Sequence, residues 1–245
     1  MKKSLYFIVC AALLLVIGSC QKLTTEGLTR TTYYPIITLQ GDDPLLVPVG
    51  STYTDPGVTA TEGGADVTSK VVVGGDKIDP NKLGLYSVTY SATNVDGFDA
   101  SISRTVIVYD PSVTVSIAGS YHADMNRTTY GTAGRTFAQY AASYGNTDKC
   151  TDITFTEVAP GFFYCNDIFA GWYHQIRAYA AKYCMTGYIA LNKDNTLTLL
   201  DSYVSGWGDG LDYLRNGVYN PETGEISYNI SYAGQIFMAP VLIKD

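Results

Sequence analysis

The sequence predicts an all-β protein built from two domains. Three observations lead there: short apolar segments with period-two alternation, abundant turn residues including 24 Gly and 9 Pro, and no helical periodicity between residues 35 and 110. With 46% hydrophobic and 16% charged residues, the chain is unlike a disordered acidic polymer, and 245 residues suffice for two small cores. The formal charge of −7 becomes −9 without Lys2 and Lys3. Such an acidic chain, its sixteen Lys and Arg thinly spread, is a poor binder of phosphate backbones, so nucleic acid is excluded as a partner.

Residues 1–19 read as an export leader. Lys2 and Lys3 supply positive charge, and the apolar run from Leu5 to Ile17 is thirteen residues, too short to span a hydrocarbon core. It ends in Ile17-Gly18-Ser19-Cys20, which resembles the lipobox of bacterial lipoproteins. The resemblance implies cleavage before Cys20 and acylation of its thiol, and several acyl chains anchor a protein stably. Gln21 follows, where an Asp is the inner-membrane retention signal of enteric lipoproteins, so the expected address is the outer membrane. The choice between cell surface and periplasmic face stays open. Residues 20–34, rich in Thr and without apolar spacing, read as a tether.

Residues 35–110 carry evenly spaced strand signals. These are Ile36-Ile37-Thr38-Leu39, Leu45-Leu46-Val47-Pro48-Val49, Val67 with Val71-Val72-Val73, an alternating run through Tyr86, Val88, Tyr90 and Ala92, and a last strand with Ile102, Val106 and Val108. Asn94-Val95-Asp96-Gly97 joins the final two as a hairpin turn. Asn94, Asp96 and Asp99 also invite a calcium reading, but the ligand series of a calcium loop is missing and the turn explains them. The stretches Val49-Gly50-Ser51-Thr52-Tyr53-Thr54-Asp55-Pro56-Gly57, Leu83-Gly84-Leu85-Tyr86-Ser87-Val88-Thr89-Tyr90 and Arg104-Thr105-Val106 resemble bacterial Ig-like domains of cell-surface and pesticidal crystal proteins. The resemblance implies an Ig-like β-sandwich acting as spacer or adhesion module, without catalysis.

Asp110-Pro111 marks the boundary, and fourteen of 21 Tyr, six of eight Phe and both Trp follow it. Strands are expected at 113–118, 120–125, 152–158, 161–166, 185–191, 196–202, 217–220, 225–233 and 235–244, with an irregular connection over 168–182. Eight or nine antiparallel strands in residues 111–245 form either a closed, lipocalin-like barrel or a second sandwich. Gly119-Ser120-Tyr121, Phe169-Ala170-Gly171-Trp172-Tyr173, Gly206-Trp207-Gly208-Asp209 and the run from Gly217 to Ile226 resemble two-domain lipoproteins encoded beside polysaccharide-uptake systems of gut Bacteroidetes. That resemblance implies a carbohydrate context and no defined ligand.

Candidate chemistry is sparse. Trp207 sits among Gly206, Gly208 and Gly210, where its ring either stacks on a sugar with Asp209 accepting from hydroxyls, or plugs one end of the domain. Trp172 and Tyr173 beside Gly171 carry the same two readings. His122 and His174 lack metal-ligand spacing, no nucleophile elbow or phosphate loop occurs, and no cofactor or metal is expected. Asp167, Asp201, Asp209 and Asp212 leave a carboxylate-pair glycosidase as a third possibility. Cys150, Cys165 and Cys184 allow at most one disulfide, and no essential one is expected. The expected function is therefore a lipid-anchored, non-catalytic envelope protein that binds a glycan or an uptake component. The alternative is a structural or adhesion lipoprotein whose aromatics are all core.

Overall fold

The computed structural model describes residues 30–245. The leader and Cys20 therefore lie outside the described residues. The end of the expected tether is docked, because the Tyr33 carbonyl accepts from Asn94 Nδ2 at 2.8 Å and the Tyr34 ring packs on Phe98.

The first domain is a sandwich of two sheets. One contains β1 (Ile36–Leu39), β3 (Val58–Glu62) and β4 (Ala65–Asp66), in the order β1-β3-β4. The other contains β2 (Leu45–Pro48), β5 (Val72–Gly75), β6 (Gly84–Thr93) and β7 (Asp99–Tyr109), in the order β2-β7-β6-β5, with β2 parallel to β7. Period-two burial places Val88 and Tyr90 of β6 and Val106 and Val108 of β7 in one core with Val47. At the β6–β7 turn, Asn94 Oδ1 accepts from the Asp96 and Phe98 amides, at 3.0 and 2.8 Å, and Gly97 has φ 84°. A hairpin turn thus accounts for these polar residues. The sequence reading missed β3, whose Val58, Thr59, Ala60, Thr61 and Glu62 bury only Ala60 fully.

The second domain is a closed barrel, which decides against a second sandwich. Its eight staves are β8 (Gly119–Ala123), β11 (Cys150–Ala159), β12 (Phe162–Cys165), β13 (Thr186–Leu191), β14 (Thr196–Tyr203), β15 (Tyr213–Asn220), β16 (Glu225–Tyr232) and β18 (Val241–Lys244), all antiparallel to their neighbours. Closure comes from β18, which pairs with β16 at Ile226↔Leu242 and with β8 at Leu242↔Ala123. Two short strands, β9 (Thr129–Tyr130) and β10 (Arg135–Thr136), extend outward through β17 (Ile236–Ala239), which pairs with the far half of β16. Residues 235–244, expected as one strand, are interrupted at Pro240, which lacks an amide to donate.

Two further departures have physical reasons. Residues 113–118 form no strand: Val113 and Ile117 are buried, but as side chains inserted against the barrel, with the Ile117 carbonyl accepting from the Tyr121 hydroxyl at 2.8 Å. Helix α1 (Phe137–Tyr144) was not anticipated. It begins in a reciprocal capping box between Thr136 and Gln139, buries Phe137 and Ala141, and ends at Gly145 in the left-handed region.

The boundary at Pro111 is crossed by apolar contact. Val106 and Val108 face the sandwich core, so Ile107 between them faces the other way, into a cluster with Ala159, Phe162 and Ala190, with Leu85 and Leu200 alongside. We expect the intact chain to unfold in one calorimetric transition and Ile107→Asp, which buries a charge in this seam, to resolve it into two. A single, undiminished transition in the mutant would show that the seam does not couple the domains.

Candidate functional site

Two regions of the barrel gather the candidate side chains. The first is an aromatic end cap. Gly171 has φ 83°, and a Cβ there would lie 2.7 Å from Cys150 Cβ, so only glycine lets the chain turn inward. The following residues form a wide π-helical turn, Trp172–Ile176, rather than an irregular connection. That turn drives Trp172 into the barrel. Trp172 is 1% exposed, stacked on Tyr130 at 4.0 Å between centroids and edge-on to Tyr140 at 4.8 Å. Tyr173 is buried as well, against Phe169 at 5.0 Å. Both rings are buried among other aromatics, which is the placement the core reading describes.

Trp207 is placed differently. It lies on the tight loop after β14, where the Val204 amide donates to the Asp209 carbonyl and the Gly208 amide to the Val204 carbonyl, both at 2.8 Å. Gly206 is needed because a Cβ there would come within 2.4 Å of the Tyr183 ring. The indole packs on Tyr183 at 4.6 Å, Tyr173 at 4.8 Å and Tyr232 at 5.6 Å, yet 41% of it stays exposed. Asp209 is exposed beside it, and one carboxylate oxygen accepts from the Tyr232 hydroxyl at 2.7 Å. Burial and that carboxylate hold the Tyr232 phenol well above its ordinary range, so it remains a donor. Around the rim, Tyr179 and Tyr183 pack edge-to-face at 5.3 Å, Lys182 lies over Tyr183, and the Arg177 guanidinium lies over Tyr144 and Tyr179. The cap thus offers flat apolar faces edged by fixed donors and acceptors. The sequence reading named Trp207 and Asp209 but not Tyr179, Tyr183 or Tyr232; the first two come from the connection before β13 and the last from the end of β16, and the barrel's tertiary packing sets Tyr183 and Tyr232 against Trp207.

The second region is a cavity of about 420 Å³ lined by Asp152, Asp167, His174, Gln175 and Cys184, among others. It superficially collects an acid, an imidazole and a thiol. Asp167, however, is buried and accepts from the Phe169, Gly171 and Met185 amides at 3.1, 2.9 and 3.2 Å. Burial pushes the Cys184 thiol up to about 12, so it stays protonated at neutral pH and is a poor nucleophile. His174 Nδ1 is engaged with the Tyr179 carbonyl at 2.9 Å, while His122 Nδ1 lies 2.7 Å from Asp245 Oδ1 on the barrel exterior. Cys150, Cys165 and Cys184 are all free thiols. Among the described residues, no three His, Cys, Asp or Glu side chains are grouped to hold a metal ion.

Asp167 therefore fastens the turn before Trp172 to the start of β13. Burial raises its carboxyl from 3.8 to about 6, outweighing the amide hydrogen bonds. Because the folded state binds the proton more tightly than the unfolded state, stability should fall as pH rises from about 4 to 6, by about 3 kcal/mol for a shift of this size. Asp167→Asn should flatten this dependence. Urea midpoints at pH 4.5 and 7 check it; a wild-type protein gaining stability over that rise, with the mutant following the same slope, would remove Asp167 as the cause.

A family profile described as bacterial surface protein, Ig-like domain, matches residues 37–108, and one described only as a "-like" C-terminal domain matches residues 110–244. The crystal structure of the lipoprotein BT2262 from Bacteroides thetaiotaomicron is 31% identical in sequence, with 86% of this chain and 100% of that chain covered, at a TM-score of 0.46. The chain belongs to the family of that C-terminal domain, whose profile spans more than half of it. No curated protein matches it. Neither matched family description names an enzymatic activity. No helix among the described residues is long and apolar enough to cross a membrane.

Proposed function

We propose that this lipoprotein is held at the outer membrane through Cys20 and binds a glycan at the aromatic cap of its barrel, as a non-catalytic component of polysaccharide uptake. The observation that carries the reading is Trp207: it rests on three tyrosines and still leaves 41% of its surface in solvent, on a loop held by backbone hydrogen bonds. A rigid, half-exposed indole costs little ordering on binding and removes a sugar's apolar face from water. Asp209, with one oxygen fixed by Tyr232, supplies an acceptor for hydroxyls at the ring's edge. The saturated hydrogen bonding of Asp167 argues against the glycosidase alternative in the neighbouring cavity. A glycan array probed with the soluble chain lacking residues 1–20 tests this; the expected result is selective retention of a small group of neutral oligosaccharides. Retention of none would favour the structural or adhesion role.

A further inference from the structure

The sandwich exposes an apolar aromatic patch at the end where the chain arrives from Cys20. Tyr33, Tyr34, Ile36, Val95 and Phe98 are each between 48% and 70% exposed. The Tyr34 and Phe98 centroids are 5.4 Å apart, Val95 and Phe98 share the Asn94 turn, and Ile36 opens β1 two residues after Tyr34. Asn94, itself buried, ties the two segments together through the Tyr33 carbonyl, so the patch is held by the fold. Contiguous exposed apolar surface of this kind marks a contact, and tyrosines mixed with aliphatic residues suit the water–hydrocarbon boundary.

We propose that this patch lies on the lipid surface beside the anchor, setting the sandwich end-on to the membrane and the barrel away from it. The length of chain ending at the anchor selects lipid as the occupant. Tyr34 is fourteen residues from Cys20, which confines the patch within about 50 Å of the bilayer even at full extension. A tether of that length holds lipid at a high effective concentration beside the patch. The inference rests on acylation at Cys20 and is independent of glycan binding.

The test is Phe98→Trp in the lipidated full chain, in vesicles of phosphatidylethanolamine and phosphatidylglycerol with or without brominated acyl chains. Bromolipid should quench the emission added by the new indole roughly twofold or more, as expected for a ring at the boundary. Tyr34→Trp should report the same, and Cys20→Ser, which removes the anchor, should largely abolish the effect. Protein that floats with vesicles while the added emission is unaffected would overturn the patch contact and leave the anchor standing. Wild-type protein that does not float would overturn both. A lipid-independent, concentration-dependent change in the added emission would instead assign the patch to a second copy of the chain.

Discussion

Arg104→Ala should destabilise the sandwich by about 3–5 kcal/mol, the scale for breaking a buried charged network. Arg104 is 0% exposed, and its guanidinium donates to the carbonyls of Gln40 at 2.6 Å and Gly57 at 3.0 Å and to that of Asp42. Those carbonyls belong to the β1–β2 connection and the entry to β3, so one side chain holds the two sheets in register. Asp55 lies 4.0 Å from Nε and accepts the Tyr90 hydroxyl at 2.5 Å and the Gly57 amide at 2.9 Å. Without the guanidinium, the Gln40 and Asp42 carbonyls lose this donor, Gly57 keeps only the Gln40 amide, and Asp55 loses its counter-charge. Arg104→Lys should recover little, because an ammonium cannot spread donors over three carbonyls. Urea unfolding of the chain lacking residues 1–20 measures both; a loss under about 1 kcal/mol for the alanine would mean water replaces the clamp.

Trp172→Ala should cost a comparable amount from the barrel, about 3–5 kcal/mol, as expected for truncating a large buried aromatic. The indole is covered by Tyr130, Tyr140 and Phe137, the last at 5.3 Å, so its removal opens a cavity between the π-helical turn and α1. At this chain length the melting temperature should drop by on the order of 10 °C. Trp207→Ala, truncating a ring still partly in water, should move it far less. Equal losses at the two positions would make Trp207 as much a part of the core as Trp172.

That contrast shows where sequence reading ends. Both tryptophans stand beside glycines among aromatics, and nothing local separates them. Gly171, pressed against Cys150, turns its tryptophan inward, while Gly206, pressed against Tyr183, leaves its tryptophan at the rim. Each contact joins residues about twenty apart or more, through pairing that no short window contains. The alternation of Val88, Tyr90, Val106 and Val108 was legible because burial on a strand repeats every second residue. So were the segments containing Asp55, Gly57, Tyr90 and Arg104, which the Arg104 clamp joins. The Thr136–Gln139 capping box was present in the sequence and went unread, since its helix buries only two residues. Closure was undecidable: a meander becomes a barrel only when β18 pairs with β8, more than a hundred residues away.

The most direct test of the glycan-binding account is a calorimetric titration of the soluble chain and its Trp207→Ala variant with the oligosaccharide best retained on the array. Covering one indole face at about 25 cal/mol per Å² contributes on the order of 1–2 kcal/mol, so the variant should bind roughly tenfold more weakly or worse. Its melting temperature should stay within a few degrees of wild type, roughly the change expected from a loss of about 1 kcal/mol. Affinity unchanged by the substitution would contradict the account and return Trp207 to the role of a plug.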